Sequence, residues 1–337
     1  MVSINKIAAF SVALLLFMGT GQISYGQDYS YEDAAEEYTE AMEYMEANDF
    51  ENAIQGFISA HEIALQVGEQ AEEIINRASE QITRASLQQL QYLANQREWE
   101  QAINWVDRVK ELDTDYGDGS ATQRVEQNEP RLYYSWGNDH FRNEENEEAI
   151  EKYEQALELN ENFVGAHYQL GLAHRRLGDL ETSLEHIDRS MELAEQQGDQ
   201  DSYERGRAQA RDYLIYRGSE ATDDERFDEA EEYLTRAQEY DAESARLHYR
   251  LAELYNQTER FSEALEYANT ALEYEDGGTS DLARIYFEIG VAQQGLGNES
   301  EACDAFINAA HGDYRSAAEH ELEHELNCDG WEEEVGR

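Results

Sequence analysis

The segment 130–197 contains the same helical pattern twice, with the second copy offset from the first by 34 residues. Small residues recur at matching places in the two copies: Gly137, Ala149 and Ala156 in the first, and Gly171, Ser183 and Ser190 in the second. Small side chains let two antiparallel helices approach closely, while Tyr133, Trp136 and Tyr153 fill the remaining space. A single hairpin of this kind cannot bury its apolar face, so it must stack on neighbouring hairpins. The period therefore predicts a repeat protein.

The composition favours an almost wholly helical chain. Only one Pro occurs in 337 residues, Glu, Ala, Leu and Gln are abundant, and alternating runs of β-branched residues are missing from the sequence. The formal net charge is -50, from 75 acidic and 25 basic residues. A chain this acidic is a poor candidate for binding nucleic acid or anionic lipid, so we set both classes of partner aside.

The N-terminal segment 1–26 has the features of an export signal. Lys6 supplies positive charge, the apolar run 7–18 is too short to span a bilayer, and small residues precede position 27. Cleavage before Gln27 would leave a mature chain that is not inserted in a membrane. We expect an exported protein, most simply periplasmic, with an extracellular location or an uncleaved anchor helix as the alternatives.

The remaining chain divides into four parts by pattern. These are two degenerate hairpins with lengthened helices (27–112), a flexible connection (113–129), a regular array of hairpins (130–314), and a capping helix with a tail (315–337). Helical spacing of apolar residues over 66–82 predicts the lengthened helices, and the glycines on either side of Asp118 predict the connection. A capping element is expected because the last hairpin would otherwise expose its apolar face.

The recurrence of small and aromatic residues over 31–328 resembles the tetratricopeptide repeat family. The resemblance implies an all-α solenoid of about seven helical hairpins. It also implies a non-enzymatic scaffold that binds other proteins without a cofactor, along a concave groove lined by the first helix of each hairpin. The expected partner is a peptide segment of another exported or envelope protein.

Ten positions are carried over from the family as groove residues: Arg131, Tyr134, Asn138, Arg142, Tyr168, Arg175, Arg176, Arg246, Tyr249 and Arg284. They are rich in Arg although the chain as a whole is acidic. Arg binds carboxylates with a planar fork and Tyr adds apolar contact, so we predict an acidic segment or a C-terminal carboxylate as the ligand. The alternative is that these arginines pair with Glu on neighbouring helices and only hold the hairpins together.

Two further hypotheses compete with the adaptor. Residues 320–324 match the H-E-x-x-H pattern, in which two His bind zinc and the Glu activates water, so a metallopeptidase is one alternative. Only thirteen residues follow His324, and the segment suits a capping helix better, so we assign no metal ligand and no catalytic residue. The other alternative is a self-assembling repeat protein whose groove is filled by its own terminal helix or by a second copy.

The chain has two cysteines, Cys303 and Cys328, and both fall in its last part. Export to an oxidising compartment favours a disulfide between them, although two unpaired buried thiols are the alternative. The bond would join the capping helix to the last hairpin.

Overall fold

The computed structural model describes residues 29–335, which form helices and turns and contain no strand. The predicted export signal (1–26) lies outside the described residues. Fourteen helices form seven successive hairpins: α1 Tyr31–Glu46 with α2 Phe50–Val67, α3 Glu72–Asn95 with α4 Trp99–Tyr116, α5 Ser120–Arg142 with α6 Asn146–Leu159, α7 Val164–Arg176 with α8 Leu180–Gln197, α9 Gln200–Asp223 with α10 Phe227–Tyr240, α11 Ala245–Gln257 with α12 Phe261–Tyr274, and α13 Thr279–Gly295 with α14 Glu299–Ala309. The predicted all-α solenoid of hairpins is confirmed.

Each hairpin turns in the same way. The turns place one residue each in the left-handed backbone region, namely Asn48, Arg97, Glu144, Gly178, Glu225, Glu259 and Gly297. The next residue then donates its amide to a carbonyl five positions earlier, as Asp49 does to Tyr44 at 2.9 Å and Asp179 to His174 at 3.0 Å. This bond closes the C-terminus of the first helix, so the second helix can begin at once and run back antiparallel to it.

Close approach of paired helices depends on glycine. An added Cβ at Gly171 of α7 would lie 2.5 Å from Ile187 Cγ1 and 2.9 Å from the Ser183 carbonyl oxygen of α8. Ser183 also donates its hydroxyl to the Gly171 carbonyl at 2.7 Å. The small residues of the 34-residue pattern therefore lie where two helix backbones nearly touch.

Replacing Gly171 with alanine is expected to destabilise the protein by about 2 kcal/mol, because the backbone at Ser183 must move and overpacking outweighs the gain of about 1 kcal/mol in helix propensity. The matched control is Gly165→Ala in the same helix, where the added Cβ would meet only aromatic side-chain atoms at 3.3 Å or more. Urea denaturation of both variants measures the difference. Equal stabilities would contradict this account of the hairpin.

The described residues fall into two compact units. The first consists of the described part of Met1–Tyr92 together with Asp107–Thr122, and the second of Leu93–Val106 with Gln123–Arg337. A core of the first unit is built from small and aliphatic residues: Ala34, Ala60, Ala64, Ala71 and Ile74. The largest core cluster of the second unit joins residues from α8 to α13.

The predicted flexible connection over 113–129 is wrong. Helix α4 continues to Tyr116 and α5 begins at Ser120, so three residues separate the two helices. Asp113 is buried near the end of α4, and its Oδ2 accepts the amide of Thr122 at 2.7 Å. That carboxylate satisfies a backbone donor in the first turn of α5, which stabilises a tight junction where the glycines alone suggested a loose one.

The C-terminal segment, defined here as residues 312–335, packs back onto the last hairpin. It contains a short turn at Gly312–Tyr314, α15 at Arg315–His320, a π-helical stretch at Glu321–Glu325 and α16 at Trp331–Glu334. Cys303 of α14 is disulfide-bonded to Cys328, as the sequence predicted. The residues expected to be a tail include Trp331, whose side chain is buried.

Candidate functional site

The first helices α5, α7 and α9 lie side by side in the second unit. Asn138 Oδ1 on α5 accepts a hydrogen bond from Gln169 Nε2 on α7 at 2.8 Å. Arg175 Nη1 on α7 donates to Gln209 Oε1 on α9 at 2.8 Å. We call the surface that these three helices share the α5–α7–α9 face, and it includes Arg131, Tyr134, Asn138, Gly165, Tyr168, Arg175, Arg205 and Gln209.

Aromatic rings form the base of the α5–α7–α9 face. The ring of Tyr134 lies 5.9 Å from that of Tyr153 and 4.9 Å from that of Phe163, between centroids. The Tyr168 ring is half-buried on the same face, and burial raises the pKa of its hydroxyl. Tyr168 therefore stays a neutral hydrogen-bonding group at physiological pH.

Three arginines on this face have no carboxylate partner among residues 29–335. Arg131 and Arg205 are exposed, and within the described chain neither makes an ion pair or a side-chain hydrogen bond. The Arg205 guanidinium carbon lies 5.8 Å from the Tyr168 ring centroid. Arg175 bonds only to the neutral Gln209 and lies 5.1 Å from the Tyr213 ring centroid. The positive charge of the face is therefore uncompensated by these direct contacts.

A cleft of about 530 Å³ opens beside Arg131. It is lined by Gln127, Pro130, Arg131, Asn160, Asn162, Phe163, Val164, Gly165, Gln197, Asp199 and Ser202. Asp199 is the one carboxylate among these lining residues, and it accepts the Ser202 amide at 3.1 Å as the cap of α9. The hydrogen bonds from Ser202 lower the pKa of Asp199, so this carboxylate is ionised and already engaged.

Other arginines of the predicted set are engaged within the chain. Arg142 pairs with Asp139 at 2.7 Å, and Arg284 pairs with Glu275 at 2.7 Å. Arg176 donates to the Phe141 carbonyl at 2.6 Å, and its guanidinium carbon lies 3.5 Å from the Phe141 ring centroid. The alternative of pairing with a Glu outside its own helix thus describes Arg284, whereas Arg142 pairs with an Asp of its own helix α5.

The predicted residues of the last two hairpins are placed differently again. Tyr249 is only 4% exposed, because its hydroxyl lies 2.8 Å from that of Tyr314 in the C-terminal segment. Arg246 is exposed at the start of α11, with no side-chain partner in the described range. The structure therefore does not bring Arg246, Tyr249 and Arg284 into the α5–α7–α9 face.

The two histidines of residues 320–324 lie on the surface of the C-terminal segment. His320 and His324 are exposed, with ring centroids 5.0 Å apart, and the stretch from Glu321 is π-helical. Glu321 Oε2 accepts from Gln294 Nε2 at 3.3 Å. Over residues 29–335, no group of three or more His, Cys, Asp or Glu side chains is placed to hold a metal ion. In the same range, no helix has both the length and the apolar character to cross a bilayer.

Sequence reasoning missed Arg205 and Gln209. None of the ten predicted groove positions lies on α9, which begins at Gln200 and carries both side chains. The Asp199-x-x-Ser202 cap was the available signal, since Asp199 accepts the Ser202 amide and so starts a helix there. The four-residue spacing of Arg205 and Gln209 then places them on one face of that helix.

Family models match the two most regular parts of the array. A model described as TPR repeat matches residues 137–178, and models described as tetratricopeptide repeat match 164–197 and 221–286. The two overlapping matches at 137–178 and 164–197 include Gly171 of the α7–α8 hairpin, and the match at 221–286 includes the whole α11–α12 hairpin. The chain is a tetratricopeptide repeat protein. Such repeats mediate protein–protein interaction and belong to a family of typically non-enzymatic scaffolds, and this TPR protein is an interaction scaffold.

Solved TPR structures are similar to parts of the chain. A crystal structure of MamA is 20% identical over 59% of this chain and 97% of its own, with a TM-score of 0.37. YrrB, titled a TPR protein with an unusual peptide-binding site, is 19% identical over 61% of this chain and 94% of its own, with a TM-score of 0.36. MamA from Desulfovibrio magneticus RS-1 is 16% identical over 60% of this chain and 97% of its own, with a TM-score of 0.35. A comparison with curated proteins found no match.

Proposed function

We propose that this TPR protein is an exported adaptor that binds an acidic peptide segment of another exported protein on the α5–α7–α9 face. The observation that carries the proposal is the set of three arginines, Arg131, Arg175 and Arg205, without a carboxylate partner in the described chain. In a chain with 75 acidic and 25 basic residues, internal partners are plentiful. Arginines that remain unpaired under those conditions are available to a ligand.

The chemistry of the face suits carboxylates. A guanidinium donates two parallel hydrogen bonds to one carboxylate, and Tyr168 and Tyr134 provide rigid apolar surface for neighbouring side chains. The acidic remainder of the protein repels acidic peptides, so binding would concentrate on the face where arginine offsets that repulsion. One end of the bound peptide would lie in the cleft beside Arg131.

Export is supported by one feature of the sequence and one of the structure. The segment 1–26 has the charge and apolar pattern of an export signal, and a disulfide is typical of proteins that fold in an oxidising compartment. The partner is therefore sought among exported proteins, most simply in the periplasm.

The test is affinity capture of exported proteins on the chain from Gln27, with wild type beside an Arg175→Glu/Arg205→Glu double variant. The control is Arg189→Glu, a single charge reversal of the same kind on the second helix α8 of the same hairpin as Arg175. We expect the double variant to lose the partner by about 100-fold in affinity, since each charge-assisted hydrogen bond contributes about 1.5 kcal/mol or more. We expect the control to retain it, with far-UV circular dichroism confirming the fold of each variant.

Synthetic peptides from the captured partner then identify the recognised group. Acidic peptides with a free C-terminus are compared with the same peptides amidated, by fluorescence polarisation. Loss of binding on amidation assigns the C-terminal carboxylate, and unchanged binding assigns acidic side chains. Capture that is equal for wild type, double variant and control contradicts the proposal, because the arginines of the face would then have no part in it.

A further inference from the structure

The C-terminal segment covers the first-helix face of the last two hairpins. The Tyr314 hydroxyl lies 2.8 Å from that of Tyr249 on α11, and the Tyr314 ring lies 5.4 Å from that of Phe287 on α13. Further along, Glu321 accepts a hydrogen bond from Gln294 on α13. The segment therefore occupies a surface of α11 and α13 that corresponds to the open α5–α7–α9 face.

The segment is held by an apolar seat as well as by these polar contacts. The seat joins residues of α14 to residues of the segment in one buried cluster: Ala302, Phe306, Ala309, Ala310, Ala318, Leu322 and Trp331. Phe306 and Leu322 have no exposed surface, and Trp331 is 2% exposed. The Leu322 and Trp331 side chains are thus enclosed by the seat.

Two features attach the segment to its own chain. Two residues, Ala310 and His311, separate the end of α14 from the turn at Gly312. The disulfide between Cys303 of α14 and Cys328 of the segment is the second, covalent attachment. Ala310 of this connection is itself buried in the seat. The side-chain contacts of Leu322 and Trp331 in the seat do not depend on the connection, so the seat does not distinguish the segment of its own chain from that of another copy.

We propose that reduction of the Cys303–Cys328 disulfide lets the C-terminal segment exchange with that of a second copy, giving a reciprocally swapped dimer. The contacts made by Tyr314, Leu322 and Trp331 are the same in monomer and dimer, so the exchange costs only the association entropy and the opening of the connection. The swapped dimer then fixes the spacing of two α5–α7–α9 faces, a property distinct from the peptide binding proposed above.

The covalent step balances with a dithiol reductant. A thiolate of the dithiol attacks one sulfur of the Cys303–Cys328 bond, and its second thiol resolves the mixed disulfide. Two electrons and two protons pass to the cysteines, which become thiols, while the reductant becomes an intramolecular disulfide. Loss of the 25-residue cross-link raises the open fraction on the order of 100-fold, by the loop-closure relation.

Charge sets the conditions for exchange. Residues 312–335 contain nine acidic residues and one Arg, so two open segments repel one another. Salt screens this repulsion, with a Debye length of about 8 Å at physiological ionic strength. Exchange is therefore favoured as ionic strength rises.

The experiment mixes two single variants of the chain, Cys303→Ser and Cys328→Ser, each of which lacks the internal bond. After incubation and mild oxidation with oxidised glutathione, a covalent heterodimer forms when Cys328 of the first variant reaches Cys303 of the second. We expect the heterodimer to exceed either homodimer by about tenfold on non-reducing gels, because only the swapped geometry brings the two different cysteines together.

The control places a further substitution in the chain that carries Cys328. Trp331→Ala removes the side chain that fills the seat and is expected to abolish the excess of heterodimer, whereas Tyr216→Ala, at a side chain that is 54% exposed on α9, leaves it unchanged. Far-UV circular dichroism confirms that each chain remains helical. The proposal stands only if the heterodimer is in excess and that excess is lost with Trp331→Ala. Heterodimer in the same proportion as the homodimers, or an excess that survives Trp331→Ala, overturns it.

Discussion

Replacing Glu288 with glutamine is expected to stabilise the protein by about 3 kcal/mol at pH 8 and to leave its stability nearly unchanged at pH 4. Glutamine keeps the shape of the side chain and an oxygen that accepts from Asn256. It removes the charge that the site must otherwise desolvate. The gain is large because the pKa of Glu288 is well above its ordinary value in the folded chain, so ionising the buried carboxyl at pH 8 costs stability that glutamine does not lose.

The environment of Glu288 explains the size of the effect. Its side chain lies between α13 and α11, is 7% exposed, and accepts the Asn256 amide on Oε2 at 2.8 Å. Burial, with a smaller contribution from the charge of Glu253, raises the pKa of Glu288 to about 7 against the opposing effects of the Asn256 hydrogen bond and of Arg250. Asn256 Nδ2 also donates to the Glu288 backbone carbonyl at 3.0 Å, which fixes the amide with its donor toward the Glu288 side chain. Neutral Glu288 still accepts this bond through its carbonyl oxygen.

The sign of the pH dependence follows from proton uptake. Between pH 4.5 and 7 the folded chain holds a proton on Glu288 that the unfolded chain has released, so this group's contribution to stability is lost as the pH rises. Urea denaturation from pH 4 to 8 measures the difference between variant and wild type. Glu253→Gln is the matched control, because it neutralises the neighbouring carboxylate, loses the 2.6 Å pair with Arg250 and should gain no stability at high pH. A Glu288→Gln variant that is no more stable than wild type at pH 8 would refute the buried-charge account.

The hairpins could be predicted from the sequence because their determinants are local. Gly171, Ser183 and Ile187 meet across one turn, so their spacing along the chain fixes their contact in space. The junction at 113–129 depends instead on one side-chain contact, between Asp113 and the Thr122 amide. Composition cannot show that contact, and the glycines were therefore interpreted as flexibility.

The candidate site was harder to predict because the partner of an arginine depends on which helices meet. Arg284 pairs with Glu275 just before its own helix, whereas Arg176 donates to the Phe141 carbonyl 35 residues away. Neither contact follows from the family's pattern of groove positions. The capping helix was predicted, and a groove filled by the terminal helix was raised as an alternative. The burial of Trp331 was missed, because its acidic neighbours suggested an exposed tail.

The contribution of His186, which lies on α8 against α7, to stability is expected to be lost in acid, and His186→Gln is expected to relieve that loss. His186 lies between His167, whose Nδ1 is 3.2 Å from its own, and His174, whose ring stacks on it at 5.8 Å between centroids. Burial lowers the pKa of His186 to about 4, with the charges of His167 and His174 adding to the effect and Glu185 opposing it. Burial also lowers the pKa of His167.

As the pH falls below 6.5, His186 becomes protonated in the unfolded chain, whereas in the folded chain it stays neutral down to about pH 4. The free energy of unfolding therefore decreases as the pH falls through this window. Because the ring is only half-buried, we expect about 2 kcal/mol between pH 7.5 and pH 4.5, less than full burial would give. His186→Gln loses ring packing at every pH, so the readout is the change with pH in its stability relative to wild type. His140→Gln is the control, since the His140 Nδ1 lies 2.6 Å from a carboxylate oxygen of Glu145 and not against other histidines.

The two titrations oppose one another between pH 4.5 and 6.5. There a falling pH strengthens the contribution of Glu288 and weakens that of His186, so in the wild type the two slopes largely cancel. In each single variant, the pH dependence of stability should be that of the group that remains. We expect His186→Gln to become more stable as the pH falls, and Glu288→Gln to become more stable as the pH rises toward neutral. The double variant should again be nearly flat across this window. Single variants with the same pH profile as the wild type would show that neither buried group controls the pH dependence of this TPR array.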